Sequence, residues 1–238
     1  MNRLIKVELK NIFSKFDIIC TLILFTFLGF VTGIINKGQL LPSCNGIFEW
    51  TMVLTLLISA LGGLYISRDY TQNTIRNKII VGHTRLGIYL SKQIAITSMY
   101  LACSGLFMVS SILSNLMFIG TTDLNKKALL IGILVAMFVV IVCSTITVFI
   151  SMSIKKETGG LMPLLVMFIM MMLSGWIPEF VKGKAIDIIN DIVPTSQIML
   201  LNIMDVDSHP IRHILYSVLL SLVFFISGYA IFKHSDLN

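Results

Sequence analysis

The sequence predicts an all-α polytopic membrane protein: six transmembrane helices, an N-terminal interfacial helix, and a short helix in the longest cytoplasmic loop. Composition points there first. Of the 238 residues, 56% are hydrophobic and only 13% are charged, against about 25% charged in a typical soluble domain. Charge placement points the same way. Six windows, near 18–35, 50–66, 94–119, 128–153, 161–177 and 212–232, carry no Asp, Glu, Lys or Arg once Arg212 is passed. A helical span needs roughly 20 apolar residues, and lipid offers no partner to an unpaired backbone amide, so these segments must be helices. The alternating pattern of a membrane barrel strand is missing.

The same arithmetic excludes several classes. Disorder requires low hydrophobicity and high charge. A soluble enzyme of this size has too little interior to hide so much apolar surface. Four cysteines spread over the chain, Cys20, Cys44, Cys103 and Cys143, do not make a disulfide scaffold. The net charge of +6 does not imply nucleic acid, because basic residues gather in cytoplasmic loops. With the N-terminus inside, the inner segments carry Arg3, Lys6, Lys10, Lys15, Arg68, Arg76, Lys78, Arg85, Lys92, Lys155, Lys156 and Lys233. The outer segments carry only Lys37, Lys126, Lys127, Lys182, Lys184 and Arg212. Both termini are therefore expected in the cytoplasm. The first apolar run is not read as a signal peptide: its flank is long, no small-residue cleavage site follows, and further spans come after it.

Residues 1–17 place Ile5, Leu9, Ile12, Phe13 and Phe16 at helical spacing, with Arg3, Lys6, Lys10 and Ser14 on the other side. That pattern suits a basic amphipathic helix along the inner membrane surface. The loop 67–93 reads SRDYTQNTIRNKIIVGHTRLGIYLSKQ, far longer than the 2–8 residues or so of most helix–helix connections. A helix from about Thr71 to Val81 fits, with Gly82 as its left-handed stop and Thr84 capping the next helix. Ile75 and Ile79 share one face of it beside Arg76 and Lys78, a surface in need of a docking partner. The outer segment 178–211 contains Pro178, Pro194 and Pro210 and is too apolar for a free loop. Two short helices broken at Pro194 fit it, either dipping into the outer leaflet or packing on the bundle. Segments 36–49 and 120–127 read as ordinary outer loops.

No G-x-x-x-x-G-K-[ST] is present, so the chain is not expected to bind ATP through a P-loop. No H-E-x-x-H, G-x-S-x-G or paired metal-ligand spacing occurs, and no catalytic or metal residues are assigned. His209 and His213 lie four apart without a third ligand. Ion-driven transporters keep Asp, Glu, His or Arg at mid-membrane, and the interiors of these windows hold none. If the protein moves a substrate, its energy is expected from a partner. Span residues that glue helices or line a mildly polar path are Ser110, Ser114 and Asn115 in the third span and Ser144 and Thr147 in the fourth. In the fifth, Met167 and Met171 offer adaptable apolar surface. Both readings, packing and pathway, stay open. Gly29 and Gly33 form a G-x-x-x-G that permits close helix contact.

This layout resembles the small six-span ABC-2 type permeases of bacterial ABC exporters. The match is most specific in the loop, at Asp69, Thr74, Ile75, Arg76, Lys78, Gly82, Arg85 and Lys92, and the ending FKHSDLN is also similar to that group. The resemblance implies a single permease domain over 1–238 in the bacterial cytoplasmic membrane. It implies a separate ATPase subunit carrying ATP and Mg, with Asp69, Thr74, Ile75, Arg76, Lys78, Ile79, Gly82 and Arg85 as the coupling helix that docks on it. It implies a second permease, identical or related, and export of hydrophobic or amphipathic peptides, as in peptide export or lantibiotic immunity. Export of a lipid or small drug, or a non-transporting scaffold or sensor role, are the alternatives. No cofactor bound by the chain itself and no nucleic-acid partner are expected.

Overall fold

The computed structural model describes residues 2–36, 50–118, 126–154, 157–180, 189–203 and 210–235. Its elements are α1 (Asn2–Phe13), α2 (Phe16–Asn36), α3 (Thr51–Thr71), α4 (Thr74–Ile80), α5 (Arg85–Phe118), α6 (Lys126–Ser153), a 3-10 turn (Glu157–Gly160), α7 (Met162–Phe180), α8 (Pro194–Ile203) and α9 (Pro210–His234). The described residues contain no strand.

Four helices are long and apolar enough to cross a bilayer: α3, α5, α6 from Leu129, and α9. The helices α1 and α2, bent by 66° at their corner, pass the same test of length and apolarity only when the two are taken together. Over its described side chains α7 is apolar but shorter, Met162–Trp176. Large apolar side chains cover the outside, among them Ile23 and Phe27 on α2, Leu113 on α5, and Leu219 and Ile226 on α9. Such continuous apolar cover is alien to a soluble monomer. The chain is a helical, membrane-embedded protein.

At the centre is α5. It packs against α2 and α6, while α9 lies on α6 and α3 on α6 and α7. The α2–α5 contact is close because Gly29 has no side chain: a Cβ there would collide with Ser110 Oγ and the Phe107 carbonyl. Thr32 and Ser111 hydroxyls meet across the same interface at 2.8 Å. Between α5 and α6 the contacts are hydroxyl pairs, Thr97–Ser144 at 2.9 Å and Tyr100–Thr147 at 2.7 Å. Where α5 meets α9, the Tyr89 ring packs among Phe225, Tyr229 and Phe232.

Three local expectations are met with shifted edges. A helix does fill the loop after the second span, but it is α4, Thr74–Ile80, because α3 runs on to Thr71. It ends as Gly82 predicts: Gly82 has φ of 97°, and the amides of Gly82 and His83 donate back to the carbonyls of Ile79 and Lys78 at 2.9 and 3.0 Å. This is a Schellman stop. Thr84 accepts from the Gly87 amide at 3.2 Å and caps α5.

Pro194 opens α8, consistent with proline's preference for the first helical position. Thr195, Ser196, Gln197 and Ile198 are buried, so this part of the segment 178–211 packs on the bundle. The Thr195 hydroxyl donates to the Met170 carbonyl at 3.0 Å. Cys44, His209, Lys155 and Lys156, with the rest of residues 37–49, 119–125, 181–188 and 204–209, lie outside the described residues.

Candidate functional site: an ion-pair ring beneath the N-terminal helix

Helix α1 is amphipathic, but its buried line is Leu4, Glu8 and Ile12, one residue per turn. Ile5, Leu9 and Phe13 flank that line, whereas Phe16 is 78% exposed and begins α2. The helix therefore rests on α5 and pushes a carboxylate into the protein. A buried charge is costly unless it is paired and hydrogen-bonded.

Four side chains from four helices meet there. Lys92 of α5 donates to Glu8 Oε2 at 2.6 Å, and Lys78 of α4 donates to Glu8 Oε1. Lys92 also pairs with Asp69 of α3, and Lys78 lies 3.8 Å from the same carboxylate. Glu8, Lys78, Asp69 and Lys92 thus close a ring of alternating sign and zero net charge. Tyr65, one turn before Asp69 on α3, donates its hydroxyl to Glu8 Oε2 at 2.7 Å. The Lys92 ammonium sits 4.2 Å from the Tyr65 ring centroid, a favourable cation–π placement. Lys92 is 0% exposed and Glu8 1%.

Electrostatics explain why the carboxylate stays ionised. Burial pushes the Glu8 pKa up, but the charge of Lys92 and the donors of Lys78, Lys92 and Tyr65 outweigh it and hold the group at about 2. Lys78 stands in the last turn of α4, where a cation also favours the helix dipole.

The loop residues singled out in the sequence divide into two sets. Asp69 and Lys78 face inward, in the ring, and Ile75 is buried beside them in the core. Ile79 is half-buried on the core and Thr74 half-exposed. Arg76 and Gly82 face outward, together with Ile80 and Val81, which are 72% and 78% exposed. Arg85 is turned to another task. Its guanidinium donates to the carbonyls of Phe232, Lys233 and Ser235 at 3.2, 2.6 and 2.8 Å, closing the C-terminal end of α9, where orphan carbonyls need donors.

The possible pathway residues are spread over separate interfaces. Ser144 and Thr147 are paired between α5 and α6. Ser110 lies against Gly29, and Ser114 donates to the Phe30 carbonyl, both between α2 and α5. Met167 is buried in the core and Met171 half-buried. Asn115 is buried, and neither of its amide atoms is hydrogen-bonded among the described residues. No group of three or more His, Cys, Asp or Glu able to hold a metal occurs among the described residues.

Glu8 is the member that sequence reasoning misses. A signal for it exists: a carboxylate four residues from both Leu4 and Ile12 sits inside an apolar stripe. Lys92 stands in the loop pattern, but as a flank rather than a buried partner.

The fold and site together define a helical membrane protein with a buried, neutral ion-pair ring at one end of its bundle. No protein-family model matches the chain, and no curated protein matches it.

Proposed function

We propose that the chain is the permease subunit of an ATP-driven exporter of the ABC-2 type. In this reading it crosses the bacterial cytoplasmic membrane six times, with α2, α3, α5, α6, α7 and α9 as the spans and both termini in the cytoplasm. A separate ATPase docks on α4, and a second permease completes the pathway. Hydrophobic or amphipathic peptides are the expected cargo; a lipid or small drug is the alternative.

One observation carries this reading. Helix α4 has seven residues, lies between two long apolar helices, and among the described residues is bonded on one side only. Its inner face is anchored by Ile75 and by Lys78 in the ring, while Arg76, Ile80 and Val81 are exposed. An exposed apolar pair beside a cation outside the spans fits a protein groove. A push on α4 would reach α1, α3 and α5 through Lys78. The absence of ionisable groups midway along the described spans supports an external energy source.

The test is affinity purification of the tagged chain from its native cell in mild detergent, with mass spectrometry of what accompanies it. A soluble ATPase at near-equal stoichiometry is expected, lost from the variant Ile80→Asp/Val81→Asp while membrane insertion is intact. Recovery of the chain without any ATP-binding protein would overturn the reading in favour of a scaffold or sensor subunit.

A further inference from the structure

Helices α2 and α3 diverge. Helix α2 lies on α5 and hardly touches α3. At the ring end, the mouth between the two helices is a small groove. Ile18, Leu61 and Leu64 form its apolar wall, and Lys15, Asp17 and Arg68 stand at its rim. Lys15 is the last residue before α2, and Arg68 is in the last turn of α3. Both cations therefore stand where two membrane-embedded helices reach the basic end.

We propose that this mouth is a binding site for one anionic phospholipid, with the phosphate between Lys15 and Arg68 and the chain origin against Ile18, Leu61 and Leu64. Three observations carry it. Lys15 has no carboxylate within ion-pair distance among the described residues; its ammonium stands 4.4 Å from the Tyr65 ring centroid. Burial lowers its pKa, so an anion arriving there gains more than it would at a fully solvated lysine. Arg68 is half-exposed and bonded to Asp17 at 3.2 Å, which aims its planar guanidinium across the same groove. Phosphate is the anion that such a fork matches. The apolar wall below the two cations excludes a purely polar ligand as the best fit and suits glycerol and the first methylenes of an acyl chain. Asp17 opposes the site and sets its strength, because the phosphate must share Arg68 with it.

Occupancy would bear on the ring. Lys15 and Lys92 both contact the ring of Tyr65, and the Tyr65 hydroxyl holds Glu8. A headgroup that draws Lys15 toward the groove leaves Tyr65 to Lys92 and Glu8. The proposal rests on the membrane embedding of the chain and not on an ATPase partner, so it stands or falls separately from the exporter reading.

Native mass spectrometry of the full chain in detergent tests it, with phosphatidylglycerol, phosphatidylcholine and inorganic phosphate as probes. One phosphatidylglycerol should be retained saturably, with at least tenfold preference over phosphatidylcholine. Lys15→Gln should weaken retention about tenfold, the size expected for one charge-assisted contact. Asp17→Asn should strengthen it. Lys6→Gln, a basic change on exposed α1 surface outside the groove, should leave it unchanged. Lys15 is not in the ring, so its variant is expected to fold; Asp17→Asn, a predicted gain, is decisive even if it does not. Equal retention of both lipids, loss of selectivity on Lys6→Gln, or no response to Asp17→Asn would overturn the proposal. Displacement of the lipid by millimolar inorganic phosphate would instead assign the site to a free anion and overturn the lipid reading.

Discussion

Glu8 and Lys92 stand 84 residues apart in the chain, yet the Lys92 ammonium donates to the Glu8 carboxylate at 2.6 Å with both side chains buried. Every other member of the ring can be placed relative to this pair. It fastens the N-terminal helix to the central helix of the bundle. Removing one partner of a buried pair leaves an uncompensated charge and costs roughly 3–5 kcal/mol. Glu8→Ala should therefore lower stability by about that amount. Glu8→Gln keeps an acceptor for Tyr65 but still leaves two ammonium groups with one carboxylate, so it should lose most of it. The double variant Glu8→Leu/Lys92→Met leaves Asp69 and Lys78 as a neutral pair, 3.8 Å apart. It should be less damaged than the sum of its single changes. Thermal unfolding of the purified protein in detergent measures all of these. Additive losses would show that the ring is not a unit.

Acid should release α1 late. The Glu8 pKa is held at about 2, below its ordinary 4.5. A depressed carboxylate contributes stability that is fully present above its unfolded value and is lost as pH falls through its folded value. The contribution of Glu8 should accordingly be constant from neutral pH to about 5, decline below 4.5, and vanish near 2. Its size should be on the order of 3 kcal/mol, because each tenfold change in proton affinity is worth about 1.4 kcal/mol. Hydrogen exchange of the α1 amides, compared between the native chain and Glu8→Gln across this range, reads it out. A difference that already closes at about pH 6 would contradict the ring geometry.

What can be read from sequence follows the range of each signal. The spans are marked by missing charge, a property of each segment by itself. Gly82 and Thr84 mark the ends of α4 and α5 because a positive φ and a cap are local demands. Lys92 reads as a loop residue because the charge-free window starts at residue 94, whereas α5 starts at Arg85. A lysine two turns into a helix looks like a loop lysine until its carboxylates are known. Arg85 is similar: its partners are carbonyls at Phe232, Lys233 and Ser235, and backbone acceptors leave no trace in residue type. Serine and threonine in a span serve equally well as glue or lining, so only packing can place Ser144 and Thr147.

The stop at Gly82 should be intolerant. At φ of 97° any Cβ is strained by roughly 1–2 kcal/mol, although nothing lies near enough for a collision. Gly82→Ala should therefore leave the bundle intact and loosen α4 alone. Faster hydrogen exchange over residues 74–83, with unchanged protection of α5 and α6, is the expected pattern. Gly82→Asn, which tolerates the left-handed region better, should restore much of the protection. Equal protection in Gly82→Ala would mean that α4 can end in another way.

The hydroxyl contacts between α5 and α6 separate packing from passage. Tyr100 and Thr147 are fully buried and bonded to each other at 2.7 Å, and Thr97 and Ser144 make a second such contact at 2.9 Å. If they are glue, their value is a coupling energy: about 0.6 kcal/mol on average for such pairs inside membrane proteins, with a maximum near 1.7. A double-mutant cycle with Tyr100→Phe and Thr147→Val should give a coupling in that range. A second cycle at Thr97→Val and Ser144→Ala should give a coupling in the same range, since Ser144, like Thr147, keeps a bond to a carbonyl of its own helix whichever partner is present. Thr147 also bonds the Cys143 carbonyl at 2.9 Å, so Tyr100→Phe alone should cost less than the pair suggests. Zero coupling at Tyr100 and Thr147, together with accessibility of a cysteine placed at Thr147 to a water-soluble thiol reagent, would turn this interface from a seam into a wetted path.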